Sequence, residues 1–321
     1  MRRTRRFLSH WENWLGLLLV LAFIFVAVAA PILAPKDPKA EGVFRRLGRA
    51  SDFRPRPPSD QAVLGTLPGQ IDVYYALVWG TRSAVSFGLL VAGSSLIIGV
   101  LVGSIAGYAG GALNNLMMRV ADSFLTFPVL AGVFFLRQII GVAVNSMGGV
   151  FFTTADNLGR TVYFFSDPNP LGIFLGSLDP VMITLILFSW MPVARIVNTM
   201  VLTLKNTEFV HAARALGGRP FWILRRHLIP NSLGPAIVLA TRDVGSAVIL
   251  QATITFIGLG GESPWGAILS LGRNWVIGPG ANLLYSWWIY LPATVAVLLF
   301  GIGWNLLGDG LQHALDPYRQ Q

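Results

Sequence analysis

Six long apolar stretches, each almost free of charge, are the feature that most constrains the fold of this chain. They cover residues 14–33, 83–108, 123–147, 181–204, 232–258 and 283–307. A helix needs about 20 mostly apolar residues to cross the hydrocarbon core of a bilayer, so each stretch is long enough for one crossing. A soluble protein of 321 residues could not bury so much apolar surface. The sequence therefore predicts an all-α membrane protein with six transmembrane helices.

Charge and composition exclude several other classes of protein. The net charge of +9 would suggest a nucleic-acid partner in a soluble protein. Here the charged residues lie mainly in the loops and at the N-terminus, where they fit membrane-surface and topology roles, so we expect no nucleic acid. The absence of cysteine excludes disulfides and thiol chemistry. Four scattered histidines show no metal-ligand spacing, so we expect no metal or cofactor: His10, His211, His227 and His313.

The charges between the stretches predict the orientation in the membrane. Arg2, Arg3, Arg5 and Arg6 precede the first stretch, and short basic segments tend to stay in the cytoplasm. We therefore expect a multi-pass protein of the cell (inner) membrane with both termini, and the basic segment 205–232, in the cytoplasm. A cleaved signal peptide is the alternative for the N-terminus. Its apolar region would have about 7–15 residues, and the first stretch is longer than that.

Residues 35–80 do not fit the charge rule well. This orientation places them outside, but they carry seven Lys or Arg residues and five acidic ones. The charge rule weakens for longer loops, so we keep the segment outside. The predicted organisation starts with a cytoplasmic end and first span, followed by an external loop. A five-helix core then contains an external insertion and a cytoplasmic loop, and a cytoplasmic tail ends the chain. The cytoplasmic end and first span are residues 1–34, the external loop is 35–80, and the tail is 311–321. The five-helix core is residues 81–310, in which 145–179 is the external insertion and 205–232 is the cytoplasmic loop.

The most informative segment is residues 208–231, here called the elbow, which is too apolar for a solvated loop. Apolar or small residues recur in its first half at helical spacing: Val210, Ala213, Leu216 and Gly217. Gly217 and Gly218 can then end this helix, because glycine tolerates left-handed backbone angles. The first half therefore predicts a short helix that stops at the two glycines.

The second half of the elbow predicts another helix. Pro220 suits its first turn, its apolar face consists of Phe221, Leu224 and Leu228, and we expect Pro230 to break it. Exposed apolar and cationic faces of this kind fit a groove on a partner protein. The alternative is a basic amphipathic helix that lies on the lipid surface.

The elbow resembles the coupling loop of permeases from ATP-binding-cassette (ABC) importers. The family pattern is Glu-Ala-Ala, three residues, Gly, nine residues, and then Ile-x-Leu-Pro. This chain has His211-Ala212-Ala213, then Gly217, then His227-Leu228-Ile229-Pro230. Ala, Ala, Gly and Pro match in register, whereas His211, His227 and Ile229 replace the family's Glu, Ile and Leu. The flanking "AARALG" and "RRHLIPN" are similar to the branch that imports peptides and nickel.

The resemblance extends over most of the chain. Three further segments of this chain are similar to the same branch: "GYAGGALNNLMMRVADSFLTFP" at 107–128, "FIGLGGESPWGAILSLGRNW" at 256–275 and "NLLGDGLQHALDP" at 305–317. Together these segments resemble the C-type permease, which implies a type I importer fold with one span, an external loop and a five-span core. One departure is the link between spans three and four, which is short in the family and enlarged here to residues 145–179.

The resemblance implies that partner chains supply the energy and the selectivity. Family members form a heterodimer with a second homologous permease, and they bind two cytoplasmic ATPases and an external solute-binding protein. This chain lacks a G-x-x-x-x-G-K-[ST] phosphate loop, so it would perform no catalysis itself. The implied solute is a di- or oligopeptide, or else nickel or a related small solute. The implied ATPase contacts are Glu208, His211, Ala212, Ala213, Leu216, Gly217, Arg225, His227 and Pro230.

Glycines mark candidate positions for close packing and for coupling. Gly99, Gly103 and Gly107 form a stripe of small residues in the second stretch, which favours close helix packing inside the subunit or, as the second choice, across a dimer seam. In the elbow, we expect Gly217→Arg to disable coupling. We expect Gly218→Ala to be milder, because the family's register falls on Gly217.

Charges inside or near the stretches are candidates for function, since they are costly in lipid. Arg242 and Asp243 either pair with each other or both lie near the interface. We expect Arg195 to anchor the fourth span and Arg137 to extend towards the outer surface. Asp309 is expected either in solvent or at a contact with another subunit.

Two other kinds of membrane protein fit the sequence less well. An ion-coupled secondary transporter is the main alternative, but it would usually need carboxylates inside the membrane, and only Asp243 falls inside a stretch. A membrane enzyme would need a cluster of His, Asp or Glu residues, and the sequence shows none. The permease of an ABC importer is therefore the function that we expect.

Overall fold

The computed structural model describes residues 11–146, 154–155, 161–162, 179–278 and 284–315. Its helices are α1 (Trp11–Leu33), α2 (Val73–Ala109), α3 (Gly111–Leu125), α4 (Val129–Ser146), α5 (Pro180–Leu204), α6 (Glu208–Ala215), α7 (Pro220–Ile223), α8 (Ile229–Phe256), α9 (Pro264–Ile277) and α10 (Trp287–Leu315). A π-helical turn, Leu224–Leu228, joins α7 to α8. Two antiparallel strand pairs are β1 (Thr66–Leu67) with β2 (Ile71–Asp72) and β3 (Thr154–Ala155) with β4 (Thr161–Val162). The N-terminal arginines, most of the 145–179 insertion and the last six residues lie outside the described residues.

The number of membrane crossings agrees with the sequence prediction. Among the described residues, five helices are long and apolar enough to cross a membrane: α1, α2, α5, the continuous helix Pro220–Phe256, and α10. Helices α3 and α4 pass the same test together and count as a sixth crossing if they form one span. The prediction of an all-α, six-crossing chain is confirmed on that count. Helix α1 packs on α2 and α10 and leaves Leu18, Phe25 and Ile32 exposed, as a lipid-facing helix would.

The third crossing is not one straight helix, and the prediction of a continuous span over residues 123–147 is wrong. Helix α3 ends at Leu125 and α4 begins at Val129, with a bend of 90° between them. Pro128 explains the break. It has no N–H to donate, and its ring disfavours helical angles at the preceding residue, Phe127.

Two helix starts differ from the sequence prediction. Helix α2 begins at Val73, inside the predicted loop 35–80, because the Asp72 carboxylate accepts hydrogen bonds from the N–H groups of Tyr74 and Tyr75. Helix α9 was not predicted. Its start carries a recognisable signal, since the Ser263 hydroxyl accepts a hydrogen bond from the N–H of Gly266 and Pro264 follows it.

The glycine stripe lies at the interface of α2 and α5, within one subunit. A β-carbon on Gly103 would lie 2.3 Å from the carbonyl oxygen of Ala194, which is a backbone atom that cannot move aside easily. A β-carbon on Gly99 would lie 2.6 Å from the Val193 side chain, and one on Gly107 would lie 3.0 Å from the Val201 side chain. Small residues therefore allow the two backbones to approach closely here.

Two arginines in the crossings pair with carboxylates on other helices instead of with their chain neighbours. Arg242 donates hydrogen bonds to Asp309 and, at 2.8 Å, to Gln312, so it ties α8 to the end of α10. The proposed pair of Arg242 with Asp243 is therefore wrong, and Asp309 contacts its own subunit. Arg195 lies 3.0 Å from the carboxylate of Asp122 and joins α5 to α3.

The segment between α1 and α2 has a defined fold held by specific polar contacts. Arg45 forms an ion pair with the buried carboxylate of Asp72. Gln70, buried and in a left-handed conformation (φ 57°), donates a hydrogen bond to the carbonyl of Arg54 at 2.7 Å. The Trp288 indole donates to the carbonyl of Thr66 and so attaches the segment to the start of α10. Part of the basic charge of this segment therefore serves to stabilise the fold of the segment itself.

A glycine-rich turn between α8 and α9 closes one end of the bundle beside the start of α5. Gly258, Gly260 and Gly261 all have positive φ angles. The Asp179 carboxylate caps α5 by accepting a hydrogen bond from the N–H of Val181 at 2.9 Å. Burial raises the pKa of Asp179, and the neighbouring carboxylate of Glu262 adds to this effect.

Candidate functional site

The elbow begins where α5 is fixed to α2. The Lys205 ammonium donates a hydrogen bond to the carbonyl of Gly107, the last glycine of the stripe, at 3.0 Å. This bond satisfies a carbonyl in the last turn of α2 and places a cation near the negative end of its dipole. The elbow therefore starts from the same two helices that the stripe holds together.

The first arm of the elbow, α6, ends in the glycine turn that the sequence predicts. The N–H of Gly218 donates to the carbonyl of Ala213, and the N–H of Gly217 donates to that of Arg214. These two bonds define a Schellman motif, in which the residue after the helix adopts a left-handed conformation. Gly217 has that conformation, with φ +81°, and no other atom lies within 4 Å of where its β-carbon would be.

Gly218 is constrained for a different reason. A β-carbon there would lie 2.7 Å from the carbonyl oxygen of Ala213, the same oxygen that its N–H binds. Because that oxygen is part of the turn, an alanine at 218 would push the turn apart. The expectation that Gly218→Ala is mild is therefore corrected, since both glycines are required for the shape of the elbow.

The second arm is continuous with a crossing, and the expected break at Pro230 does not occur. The turn Leu224–Leu228 is π-helical, with the N–H of Ile229 bonded to the carbonyl of Leu224. A π-turn widens the helix just before Pro230, which accommodates the missing N–H and the proline ring. The Asn231 side-chain amide donates to the carbonyl of His227 at 2.6 Å. The helix then runs on from Pro220 to Phe256.

Three fully buried residues attach the elbow to the bundle. Val210 lies in the first arm, and Ile223 and Leu228 lie in the second. They belong to a separate apolar cluster with residues of α2, α5 and α8: Val100, Val193, Val197, Val201 and Ala236. The elbow is therefore a packed part of the bundle and cannot move independently of these helices.

The outer face of the elbow is apolar and basic, and it is uncovered in the single chain. Leu216 is 89% exposed and Phe221 is 73% exposed, and Phe209 and Trp222 are exposed as well. Phe221 is exposed, as expected of the apolar face of the second arm, whereas Leu228 of the same predicted face is buried. The exposed cations are Arg214, Arg219, Arg225 and Arg226. Four large apolar side chains beside four cations form a surface typical of a protein contact.

Most of the predicted contact residues lie on this outer face. Glu208, His211, Ala212, Leu216, Gly217, Arg225 and Pro230 are exposed, whereas Ala213 and His227 are half-buried. The His227 ring packs edge-on against Trp222, with 5.0 Å between the ring centroids, and so supports the exposed aromatic. Phe209, Phe221 and Trp222 were not among the predicted contacts. The sequence signal that could have identified them as contacts was the presence of large apolar side chains in a basic loop.

Comparison with known proteins assigns these features to a family. Residues 99–320 match the family described as the binding-protein-dependent transport system inner membrane component. The chain belongs to this family. The matched region starts at Gly99, so it contains the glycine stripe as well as the elbow.

Similar proteins that align over nearly the whole chain are transport permeases. The chain is 29% identical over 316 residues to the oligopeptide transport system permease protein OppC of Bacillus subtilis (strain 168), covering 97% of this chain and 87% of that protein. It is 30% identical to the dipeptide transport system permease protein DppC of the same organism, covering 94% and 80%. It is 28% identical to the probable D,D-dipeptide transport system permease protein DdpC of Escherichia coli (strain K12), covering 93% and 85%. The likeness therefore includes α1 and the segment that follows it.

Membership in the family bears on the surface that the elbow exposes. The inner membrane component of such a system is a multi-pass permease subunit of an ABC importer. A permease needs an element that contacts its partners and is also fixed to its crossings. In the described part of this chain, the elbow combines an uncovered apolar face with buried anchors on three crossings.

Proposed function

We propose that this chain is the C-type permease of an ABC importer for di- or oligopeptides. It pairs with a second, homologous permease, so that each forms half of the translocation pathway. Two separate cytoplasmic ATPases hydrolyse ATP, and an external solute-binding protein delivers the solute. The observation that carries the proposal is the elbow, an anchored turn with an uncovered apolar face in a chain of this family. The names of the relatives support the peptide solute.

The second arm of the elbow explains how movement of an ATPase reaches the pathway. Because Pro220–Phe256 is one continuous helix, a force on the outer face of the elbow acts on a crossing without an intervening hinge. Val210 passes the same force to α5 through the buried cluster. Closure of the ATPases on ATP thereby tilts α5 and α8 and alternates the access of the pathway.

Coupling to ATPases requires the elbow to lie in the cytoplasm, and this orientation can be tested by labelling. The chain has no cysteine, so single cysteines can be introduced without background. We expect Arg219→Cys, in the elbow, to be labelled by a membrane-impermeant thiol reagent only after the cells are permeabilised. Arg49→Cys, between α1 and α2, is the matched control, because Arg49 is also exposed and the cysteine should be labelled in intact cells. Labelling of Arg219→Cys in intact cells would show that the orientation is reversed.

The solute class and the energy source can be tested on the intact complex. We expect the complex, purified with its binding protein, to carry peptides that mass spectrometry identifies, and to import them into proteoliposomes only with ATP. The permease pair alone should bind the same peptides at least about a hundredfold more weakly than the binding protein does, which is a difference of about 2.7 kcal/mol. Uptake driven by an ion gradient without ATP would favour the secondary transporter. Bound nickel or another solute would correct the peptide assignment.

A further inference from the structure

One face in the second half of α8 is partly uncovered and carries polar residues. Helix α8 packs against α2 through Val244, which contacts Gly88, and against α10 through Gly245, which contacts Gly301. The face turned away from both of these contacts includes Asp243, Ser246 and Thr253. Ser246 and Thr253 are exposed, and Asp243 is half-buried. This polar face is defined by those three residues.

Asp243 is the unusual member of the polar face. Ser246 and Thr253 satisfy their hydroxyl groups by donating to carbonyls one turn earlier in α8. Among the described residues, the Asp243 carboxylate makes no ion pair and accepts no hydrogen bond, because its neighbour Arg242 is held by Asp309 and Gln312. A charged carboxylate is too costly to face lipid hydrocarbon, so Asp243 is stable as an anion only where it faces water or a cation.

We propose that the polar face lines the solute pathway and that Asp243 attracts the cationic group of the solute, such as the amino terminus of a peptide. This inference rests on the proposed permease function and adds a specificity-determining residue to it. A single carboxylate in a hydrated path attracts an ammonium group without binding it tightly, because water screens the charge. Such a contact favours the passage of many peptides and leaves selectivity to the binding protein.

The test measures the attraction with charged thiol reagents and so does not depend on knowing the solute. Ser246→Cys places a thiol one helical turn from Asp243. In membranes containing the assembled complex, its labelling rates by a trimethylammonium methanethiosulfonate and by a sulfonate methanethiosulfonate are compared and normalised to a small free thiol. We expect both reagents to react, with a preference of about five- to tenfold for the cation at a separation of one turn. Adding Asp243→Asn should remove that preference, whereas adding Asp243→Glu should keep it.

Matched controls separate this result from general effects. Glu262→Gln neutralises a carboxylate at the end of the bundle and should leave the preference unchanged. Leu18→Cys, on the exposed face of α1, should react with neither reagent, because a thiol in lipid does not ionise. If Ser246→Cys is also unreactive, the polar face does not line a pathway and the proposal fails. A reactive thiol whose preference survives Asp243→Asn would overturn the role of Asp243. Neither result depends on solute uptake, so a failure of the permease function itself would be seen separately.

Discussion

The Gly217→Arg variant will lose solute uptake while the chain remains folded and inserted in the membrane. Gly217 has a φ of +81°, and a side chain in that conformation costs about 1 kcal/mol or more. No atom lies within 4 Å of the added β-carbon, so the bundle has room for the arginine. The arginine would project from the exposed face that we propose as the contact with the ATPase. We therefore expect ATPase binding and ATP-driven uptake to fall at least tenfold, which corresponds to a loss of about 1.4 kcal/mol at that contact.

Gly258→Arg is the matched control for Gly217→Arg. Gly258 has the same φ of +81°, is also exposed, and also has no atom within 4 Å of an added β-carbon. It lies after α8, at the opposite end from the elbow, so it carries the same backbone strain without touching the elbow. Membrane yield and pull-down of the ATPases are measured for both variants. Equal pull-down by Gly217→Arg and the parent, with normal uptake, would remove the elbow from the coupling path.

The elbow also shows which parts of a structure can be predicted from local sequence. The glycine turn was predicted because Gly217 and Pro220 impose backbone angles on their own. The continuation of the second arm through Pro230 was not predicted, because it runs through a π-turn flanked by the buried Ile223 and Leu228, and local sequence does not show that burial. The crossings were predicted from the length and low charge of the apolar stretches. The bend at Pro128 was not predicted, because the stretch is apolar on both sides of it.

Partners that are distant in sequence explain the remaining differences. Arg242 lies next to Asp243, and the sequence suggested that pair, but its partner Asp309 comes from another helix. Likewise, hydrophobicity alone could not show that Ile223 is buried while Phe221 is exposed. In a membrane protein the core, the lipid and a partner's groove all favour apolar side chains, so the direction of each side chain follows from tertiary packing.

The Gly103→Val variant will prevent stable folding, in contrast to Gly217→Arg. A β-carbon at 103 would lie 2.3 Å from the carbonyl oxygen of Ala194, so α2 and α5 would have to separate along the stripe. Overpacking a tight interface costs about 1–3 kcal/mol or more, and here the obstacle is backbone. We expect a large loss of membrane-inserted protein and a lower thermal unfolding temperature in detergent.

Gly93→Val tests whether the position in α2, rather than the valine, causes that loss. Gly93 lies in the same helix, and no atom lies within 4 Å of its added β-carbon, so this variant should retain a normal yield. Because Lys205 binds the carbonyl of Gly107 at the end of the stripe, separation of α2 and α5 would also displace the start of the elbow. Gly103→Val should therefore lose folding and uptake together, whereas Gly217→Arg should lose uptake alone. A normal yield for Gly103→Val would mean that α2 and α5 do not pack as closely in the membrane as they do in this structure.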